Sequence, residues 1–268
     1  MLPTIEFTPQ ERAEQAPHPD TVVRGAAALR MQGCVVLRDL FAAELIAGLR
    51  DDFLARHDSL FRSAPPADSS EVGGLRFMTP LALAGAFHTP ELYAHPFVLP
   101  ILRAVMGNDI ILGVLNVVTS LPGAPVQHVH RDGPPLFNAA VNRMLPAYAI
   151  TFFVPLVEFN ESTGTTRCFP GTHIDTDADP ATAPFIDPDV PVGSCLLLDY
   201  RLYHQGRANR SALIRPLCCA VYQQPWFKDY RNHATIPFLR LADDDYARIP
   251  EEHRNLLRWT EHYRPGLY

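Results

Sequence analysis

The chain has 268 residues, of which 47% are hydrophobic and 19% are charged, a size and composition that suit one domain with a substantial core. The formal net charge of -6 leaves no basic stripe that could follow a phosphate backbone. We therefore expect a small-molecule substrate and no nucleic-acid partner.

The N-terminal segment, residues 1–20, is acidic and contains prolines, and it lacks the apolar run of a signal peptide. No later stretch approaches the roughly 18 apolar residues that cross a bilayer. The sequence predicts a soluble, cytoplasmic protein with no membrane partner. Its cysteines, odd in number and without CxxC spacing, are expected to be reduced core residues: Cys34, Cys168, Cys195, Cys218 and Cys219.

The first part of the chain, about residues 20–106, reads as a helical support. Asp20 is predicted to cap a helix that stops at Gly33, and a short strand and a second helix follow. Residues 62–75 are rich in Pro, Ser and Gly and predict a surface loop. Residues 96–106 predict a further helix.

The character of the chain changes after about residue 108. Runs rich in β-branched and aromatic residues alternate with Pro, Gly and Asp, as in DIILGVLNVVTSL, AYAITFFVPLVEF, TTRCF, VGSCLLLDY and RPLCCAVYQQ. This pattern predicts a mainly β fold with flanking helices, a double-stranded β-helix of the cupin-like jelly-roll type. We expect a single domain over residues 1–268, with the jelly roll at about 108–230 and a helical segment at about 235–268, interrupted near Pro250.

One set of polar residues has the spacing of a metal site. His130 and Asp132 are two residues apart, so on a strand their side chains share a face while Arg131 points away. His204 lies 74 positions after His130, directly after another strand-like run. A barrel brings such distant strand ends together, and the three residues are therefore predicted metal ligands and catalytic residues.

Two imidazoles and one carboxylate are the ligand set of mononuclear Fe(II) centres that keep positions open for a 2-oxo acid and O2. Zinc hydrolases also use such sets, so the ligands alone leave the reaction undecided. Arg215, 11 positions after His204, can bind a carboxylate through two parallel hydrogen bonds. It favours an anionic co-substrate such as 2-oxoglutarate.

Four ordered blocks together resemble the phytanoyl-CoA dioxygenase superfamily of Fe(II)/2-oxoglutarate-dependent oxygenases. The blocks are Gln127-x-x-His130-x-Asp132, GTTRCFPGTH (164–173), GSCLLLDYRLYHQGRANRS (193–211) and Arg215. The segments LPG, VPLVEF, PVGS and YQQPWF are similar to the kanamycin B dioxygenase type and to other bacterial tailoring oxygenases.

The resemblance implies roles for individual residues. His130, Asp132 and His204 would bind iron, Arg215 would bind the C5 carboxylate of 2-oxoglutarate, and Gln127 would lie near this co-substrate. Many family members carry Ser or Thr where this chain has Gly206, so one hydrogen bond to the co-substrate is expected either to be absent or to come from Thr151 instead. Related halogenases have Gly or Ala in place of Asp132; the carboxylate here implies hydroxylation or another C–H oxidation.

The reaction expected from these residues is oxidation of a small natural-product intermediate with release of succinate and CO2. Phe137, Arg143 and Trp226 follow strand ends or lie in a long connection near the site, and we expect them to contact substrate. The sequence leaves the oligomeric state open, with a homodimer as one candidate. The alternatives are a divalent-metal hydrolase or isomerase and a non-catalytic metabolite-binding protein on the same barrel, and Arg215 speaks against both.

Overall fold

The computed structural model describes residues 2–57, 69–229, 232 and 239–260. Within these residues two sheets form, with strand orders β1-β2-β8-β6-β10-β5-β4-β3 and β7-β9. The strands are β1 (Thr4–Ile5), β2 (Cys34–Leu37), β3 (Ser70–Gly73), β4 (Arg76–Pro80), β5 (Ile111–Ser120), β6 (Ala149–Pro155), β7 (Thr166–Cys168), β8 (Cys195–Asp199), β9 (His204–Gly206) and β10 (Arg215–Gln223). The larger sheet is mixed, because β1 pairs with β2 in parallel and the other pairs are antiparallel.

The two sheets enclose an interior that contains an apolar cluster. Leu217 and Cys219 of β10 share one buried cluster with Leu198 of β8 and with Cys168 of the smaller sheet. A mainly β fold with flanking helices was predicted, and the jelly-roll architecture is confirmed.

The other face of the larger sheet packs against helices. Cys218, Ala220 and Tyr222 of β10 belong to a second buried cluster that contains Leu49 and Ile101 from the helical layer. Because side chains alternate along a strand, neighbouring residues of β10 are buried on opposite faces, and all nine are buried. Each aliphatic side chain buried in this way contributes about 1.5–3 kcal/mol.

Most helices lie before the central strands or after β10, and one lies between β5 and β6. The helices are α1 (Pro9–Glu14), α2 (Pro19–Gln32), α3 (Ala43–Arg56), α4 (Pro90–Tyr93), α5 (Val98–Met106), α6 (Ala139–Met144), α7 (Asp243–Ala247) and α8 (Glu251–Arg254). Gly33 ends α2 at φ 77°, as predicted, but the N-cap is His18. Asp20 lies inside the first turn because Pro19, which suits the first helical position, already begins the helix.

Two sequence expectations need qualification. The loop expected at residues 62–75 is wrong at its end, since Ser70–Gly73 is a strand that pairs with β4; residues 62–68 lie outside the described part. Edge pairing to an existing sheet overrides the weak β-propensity of Ser and Gly. In the C-terminal region, α7 and α8 flank Pro250 as expected, and residues 233–238 and 261–268 lie outside the described part.

The five cysteines are buried and free, which confirms them as reduced core residues. No helix in the described ranges is both long and apolar enough to cross a membrane.

Candidate metal centre

Three side chains of the predicted site converge at the end of the interior. One ligand atom each from His130, Asp132 and His204 lies within 4.8 Å of the others. Oδ1 of Asp132 is 3.7 Å from Nε2 of His130 and 3.5 Å from Nε2 of His204. Among the described residues, this is the group with the composition and spacing of a metal site.

The backbone explains why residues 74 positions apart meet. His130 and His204 exchange two hydrogen bonds, with N···O distances of 2.9 and 2.8 Å, in a single antiparallel bridge. Paired residues of this kind project their side chains to the same face. Arg131 projects elsewhere, since its guanidinium donates to the carbonyls of Thr172 and Asp175. The two ligand side chains converge as alternation predicts, although the segment is not a strand: His130 forms an isolated bridge, and Asp132 lies in a bend.

The orientation of both imidazoles is set by their own backbone. Nδ1 of His130 lies 2.9 Å from the His128 carbonyl, and Nδ1 of His204 lies 3.0 Å from the Leu202 carbonyl. A carbonyl only accepts, so each Nδ1 carries the proton and each Nε2 presents its lone pair. Both lone pairs then belong to the nitrogens nearest Asp132, which is the tautomer that a metal ligand needs.

The protonation states also fit a cation. Burial, reinforced by the neighbouring His204, lowers the pKa of His130 from 6.5 to about 3, so this imidazole is neutral near pH 7. Burial raises the pKa of Asp132 above its ordinary value, and His204 acts in the opposite direction. Buried carboxylates carry a desolvation penalty that a bound divalent cation offsets. The donor set therefore fits a divalent metal ion.

A cavity of about 590 Å³ begins at these three residues and runs between the sheets. At its far end, Arg215 of β10 and Arg76 of β4 both pair in register with Ser120 of β5. Alternation along the strands directs both arginines into the same end of the interior.

Arg215 is 1% exposed and only partly satisfied by the protein. It donates from Nη1 to the Gly164 carbonyl at 2.6 Å and from Nη2 to the Ser120 hydroxyl at 2.8 Å. Its Nε has no hydrogen-bond partner among the described residues. Burial, followed by the charge of Arg76, lowers the pKa of Arg215 to about 9.

Arg76 is a site residue that sequence reasoning missed. It is also 1% exposed, and its Nε donates to the same Ser120 hydroxyl at 2.8 Å. Its Nη2 donates to the carbonyls of Pro125 and Arg207, while Nη1 has no partner in the described part of the chain. No acidic side chain there contributes to the pKa of either arginine. Two buried cations with unused donors create a site for an anion.

The sequence carried little signal for Arg76. In the sequence Arg76 follows a pair of glycines, and the residues around it do not have the spacing of metal or anion ligands. Only the pairing of β4 with β5 brings it beside Arg215.

Gln127 and Thr151 both line the cavity. Gln127 donates to the Val72 carbonyl at 3.0 Å and accepts from the Gly206 amide at 3.2 Å, which ties β9 to β3. The Thr151 hydroxyl donates to Oδ2 of Asp132 at 3.4 Å. The expected role of Thr151 in place of a hydroxyl at position 206 stays a prediction.

The absence of a side chain at Gly206 has a structural cause. A Cβ there would lie 3.1 Å from Oε1 of Gln127 and 3.2 Å from Cζ of Arg76. The guanidinium of Arg76 thus occupies the space next to position 206.

Asn116 is a second residue that the sequence did not indicate. It lies on β5 opposite Cys219, is 6% exposed and lines the cavity. Its Oδ1 has no hydrogen-bond partner among the described residues. This buried amide oxygen is therefore available to accept a hydrogen bond from a water or a bound molecule in the cavity.

The expected substrate contacts lie outside the cavity lining. Phe137 and Trp226 are 51% and 65% exposed, and Arg143 is exposed on α6. His128 lines the cavity with its ring centroid 5.0 Å from that of His130, but it is not in the group of three potential ligands.

Known proteins are similar to this chain in sequence. The dioxygenase trt7 of Aspergillus terreus is 28% identical over 86% of this chain and 84% of its own length. The Fe(II)/2-oxoglutarate-dependent dioxygenase nvfF of Aspergillus novofumigatus is 30% identical over 47% of this chain and 44% of its own length.

Solved structures resemble the fold. The epimerase SnoN, in complex with Fe3+, alpha ketoglutarate and nogalamycin RO, matches with a TM-score of 0.61 and 22% identity over 77% of this chain and 85% of its own. HygX from Streptomyces hygroscopicus, with nickel, 2-oxoglutarate and hygromycin B bound, matches with a TM-score of 0.60 and 15% identity over 80% of this chain and 94% of its own.

The model of the family described as phytanoyl-CoA dioxygenase (PhyH) matches residues 29–217, a range that contains the three converging residues and Arg215. The resemblance read from the sequence is confirmed. The chain belongs to the phytanoyl-CoA dioxygenase family.

Proposed function

We propose that the protein is an Fe(II)- and 2-oxoglutarate-dependent dioxygenase that oxidises a small natural-product intermediate. One observation carries this proposal: a single cavity has a His/His/carboxylate set at one end and two buried arginines with unused donors at the other. A dianion with a chelating head and a distal carboxylate matches both ends. The name of the relative nvfF supports the same activity.

The metal would be held by Nε2 of His130, Nε2 of His204 and a carboxylate oxygen of Asp132. Three protein ligands leave coordination positions for the 2-oxo acid and O2. Bound iron would supply oxygen activation coupled to decarboxylation of 2-oxoglutarate, so that one oxygen atom enters succinate and CO2 is released. Because the Asp132 carboxylate would occupy this ligand position, a halide could not bind there. We therefore expect a product that is a hydroxylated or otherwise oxidised form of the substrate.

Arg215 and Arg76 would hold the distal carboxylate of 2-oxoglutarate. Their shared hydroxyl acceptor, Ser120, keeps the two guanidinium groups together despite their repulsion. A carboxylate between them would offset one of the two positive charges and accept hydrogen bonds from both guanidinium groups in a buried site, where such hydrogen bonds are strong. Gln127 and Asn116 line the same cavity and would meet the co-substrate or the substrate beside it.

The substrate is proposed as a natural-product intermediate because two structural neighbours were solved with nogalamycin RO and hygromycin B. Phe137, Arg143 and Trp226 would contact it from the rim, where their exposure leaves them available. The cytoplasmic location, the homodimer and the lack of a nucleic-acid or membrane partner remain part of this proposal.

The test is anaerobic addition of Fe(II) and then 2-oxoglutarate to the purified protein. We expect the weak visible charge-transfer band of a chelated 2-oxo acid, and succinate formation once O2 is admitted. His204→Ala is the matched control and should give no band. Iron binding without a band, and without succinate, would contradict the proposal and favour a hydrolase, an isomerase or a binding protein.

A further inference from the structure

The peptide group between Asp132 and Gly133 is hydrogen-bonded at both its N–H and its carbonyl oxygen. The Gly133 amide donates to the Tyr200 carbonyl at 2.9 Å, and the Asp132 carbonyl accepts from Nδ2 of Asn232 at 2.7 Å. Tyr200 directly follows β8, whereas Asn232 lies beyond β10 in sequence. Two distant segments therefore restrain one peptide plane beside the metal centre.

These two segments are joined to each other through Asp229. Oδ2 of Asp229 accepts from the Tyr200 hydroxyl at 2.7 Å and from Nδ2 of Asn232 at 2.8 Å. Oδ1 of Asp229 accepts from the backbone N–H of Asn232 at 3.0 Å. Asp229 and Tyr200 are 5% and 3% exposed. The hydrogen bonds form a closed ring that runs from Asp132 through Asn232, Asp229 and Tyr200 to Gly133.

The hydrogen-bonding partners allow only one orientation of the Asn232 side-chain amide. Both of its side-chain partners, a carboxylate and a carbonyl, only accept, so the NH2 group must face them and both of its hydrogens are used. No other uncharged side chain of this size supplies two donors from one atom. A carboxylate at position 232 would supply none.

Packing around Gly133 restrains the same peptide. A Cβ on Gly133 would lie 2.2 Å from the Tyr148 hydroxyl and 2.8 Å from Cδ1 of Tyr200, so a side chain has no room. The Phe227 ring lies against Tyr148 with a centroid separation of 4.3 Å. The chain after β10 thus covers the turn that follows Asp132.

We propose that Asn232 is a positioning residue for the metal ligand Asp132, held in place by Asp229 and Tyr200. This inference rests on the proposed function, because it assigns Asp132 to the metal. The fixed peptide plane after Asp132 holds its Cα, and the His130–His204 bridge holds the chain before it, so together they restrain the direction of the Cα–Cβ bond. The Thr151 hydroxyl on Oδ2 limits rotation of the carboxylate itself. Outer-shell partners of this kind typically change metal affinity 10- to 100-fold when they are removed.

The test measures Fe(II) affinity under anaerobic conditions, by titration of the charge-transfer band at saturating 2-oxoglutarate. Asn232→Ala and the isosteric Asn232→Asp should each raise the Kd for Fe(II) about tenfold or more. At saturating Fe(II), the Kd for 2-oxoglutarate should stay within about twofold, because the arginines are untouched. Asn255→Ala, at an exposed asparagine of the C-terminal region, is the matched control and should behave as the unmodified protein.

A double variant tests the ring itself. Tyr200→Phe keeps the aromatic ring and the backbone carbonyl but removes the hydroxyl that donates to Asp229, and it should weaken Fe(II) binding less than Asn232→Ala. If both act through one chain of hydrogen bonds, Asn232→Ala/Tyr200→Phe should bind Fe(II) as Asn232→Ala does. Additive losses would show that Tyr200 acts independently of Asn232.

An Fe(II) Kd within twofold of the unmodified value in both Asn232 variants would overturn the positioning role. The proposed function fails differently: the unmodified protein would then bind no Fe(II), or His204→Ala would bind it equally well. Thermal melting of the metal-free variants shows whether any loss is a loss of fold, and Asn232→Asp gives a second reading if Asn232→Ala melts early.

Discussion

Replacement of Arg215 by methionine is expected to weaken 2-oxoglutarate binding while the metal centre stays competent. Two of its five N–H donors are used by Gly164 and Ser120, which leaves donors for a bidentate carboxylate. Removing one partner of a buried, hydrogen-bonded charge pair costs about 2–5 kcal/mol. Since Arg76 remains beside the carboxylate, we expect the lower part of this range, about 2–3 kcal/mol, or roughly a 30- to 150-fold rise in Kd.

Arg76→Met should give a loss of the same order, because Arg76 is equally buried and has an Nη1 without a partner among the described residues. The double variant leaves the distal carboxylate buried without a cation, so saturable 2-oxoglutarate binding should disappear. Arg103→Met, which removes an exposed arginine of α5, is the matched control.

The assay is isothermal titration of 2-oxoglutarate into the anaerobic Fe(II) protein, with the Fe(II)-induced rise in Tm measured in parallel. All arginine variants should keep the Fe(II)-induced rise, because their side chains are at the far end of the cavity. Unchanged 2-oxoglutarate affinity in Arg215→Met would refute the assignment of the anion site to this pair. A loss confined to Arg215 variants would remove Arg76 from the site.

Three further predictions concern other residues. His204→Ala should abolish iron-dependent succinate formation and the Fe(II)-induced Tm rise while the metal-free Tm changes little; full activity would exclude it as a ligand. Gly206→Ser should raise the Kd for 2-oxoglutarate several-fold by displacing Arg76, whose Cζ lies 3.2 Å from the added Cβ position, and tighter binding would show that the new hydroxyl contacts the co-substrate instead. Burial lowers the pKa of His95 from 6.5 to about 4, while the Phe97 amide donates to its Nδ1. Below pH 6.5 the His95 imidazole takes up a proton in the unfolded chain but stays neutral in the folded chain, so the free energy of unfolding decreases as the pH decreases. The expected loss from this residue is about 2 kcal/mol at pH 5. Urea unfolding at pH 7.5 and 5 should show a decrease in the free energy of unfolding that is smaller in His95→Gln than in the unmodified protein by this amount. Equal decreases in the two proteins would contradict this cause.

The positions of His130 and Asp132 illustrate what local sequence can predict. Strand alternation places them on one face and Arg131 on the other, a relation that depends on backbone geometry alone. The runs of β-branched and aromatic residues likewise predicted the central strands, because covering both faces of a sheet requires apolar side chains throughout. Gly33 was recognisable as a helix end because few other residues adopt its left-handed backbone conformation.

Residues that act through long-range contacts could not be predicted in this way. Arg76 belongs to the site only because β4 pairs with β5, and Asn232 reaches Asp132 only because the chain after β10 folds back over the turn. The sequence alone identified four candidate site residues, since their spacing agrees with strand periodicity and with the ordered motifs of a known family. They are His130, Asp132, His204 and Arg215. The anion site and the ring around Asp132 were decided by tertiary structure, because buried charges and hydrogen bonds acquire their meaning from neighbours that are distant along the chain.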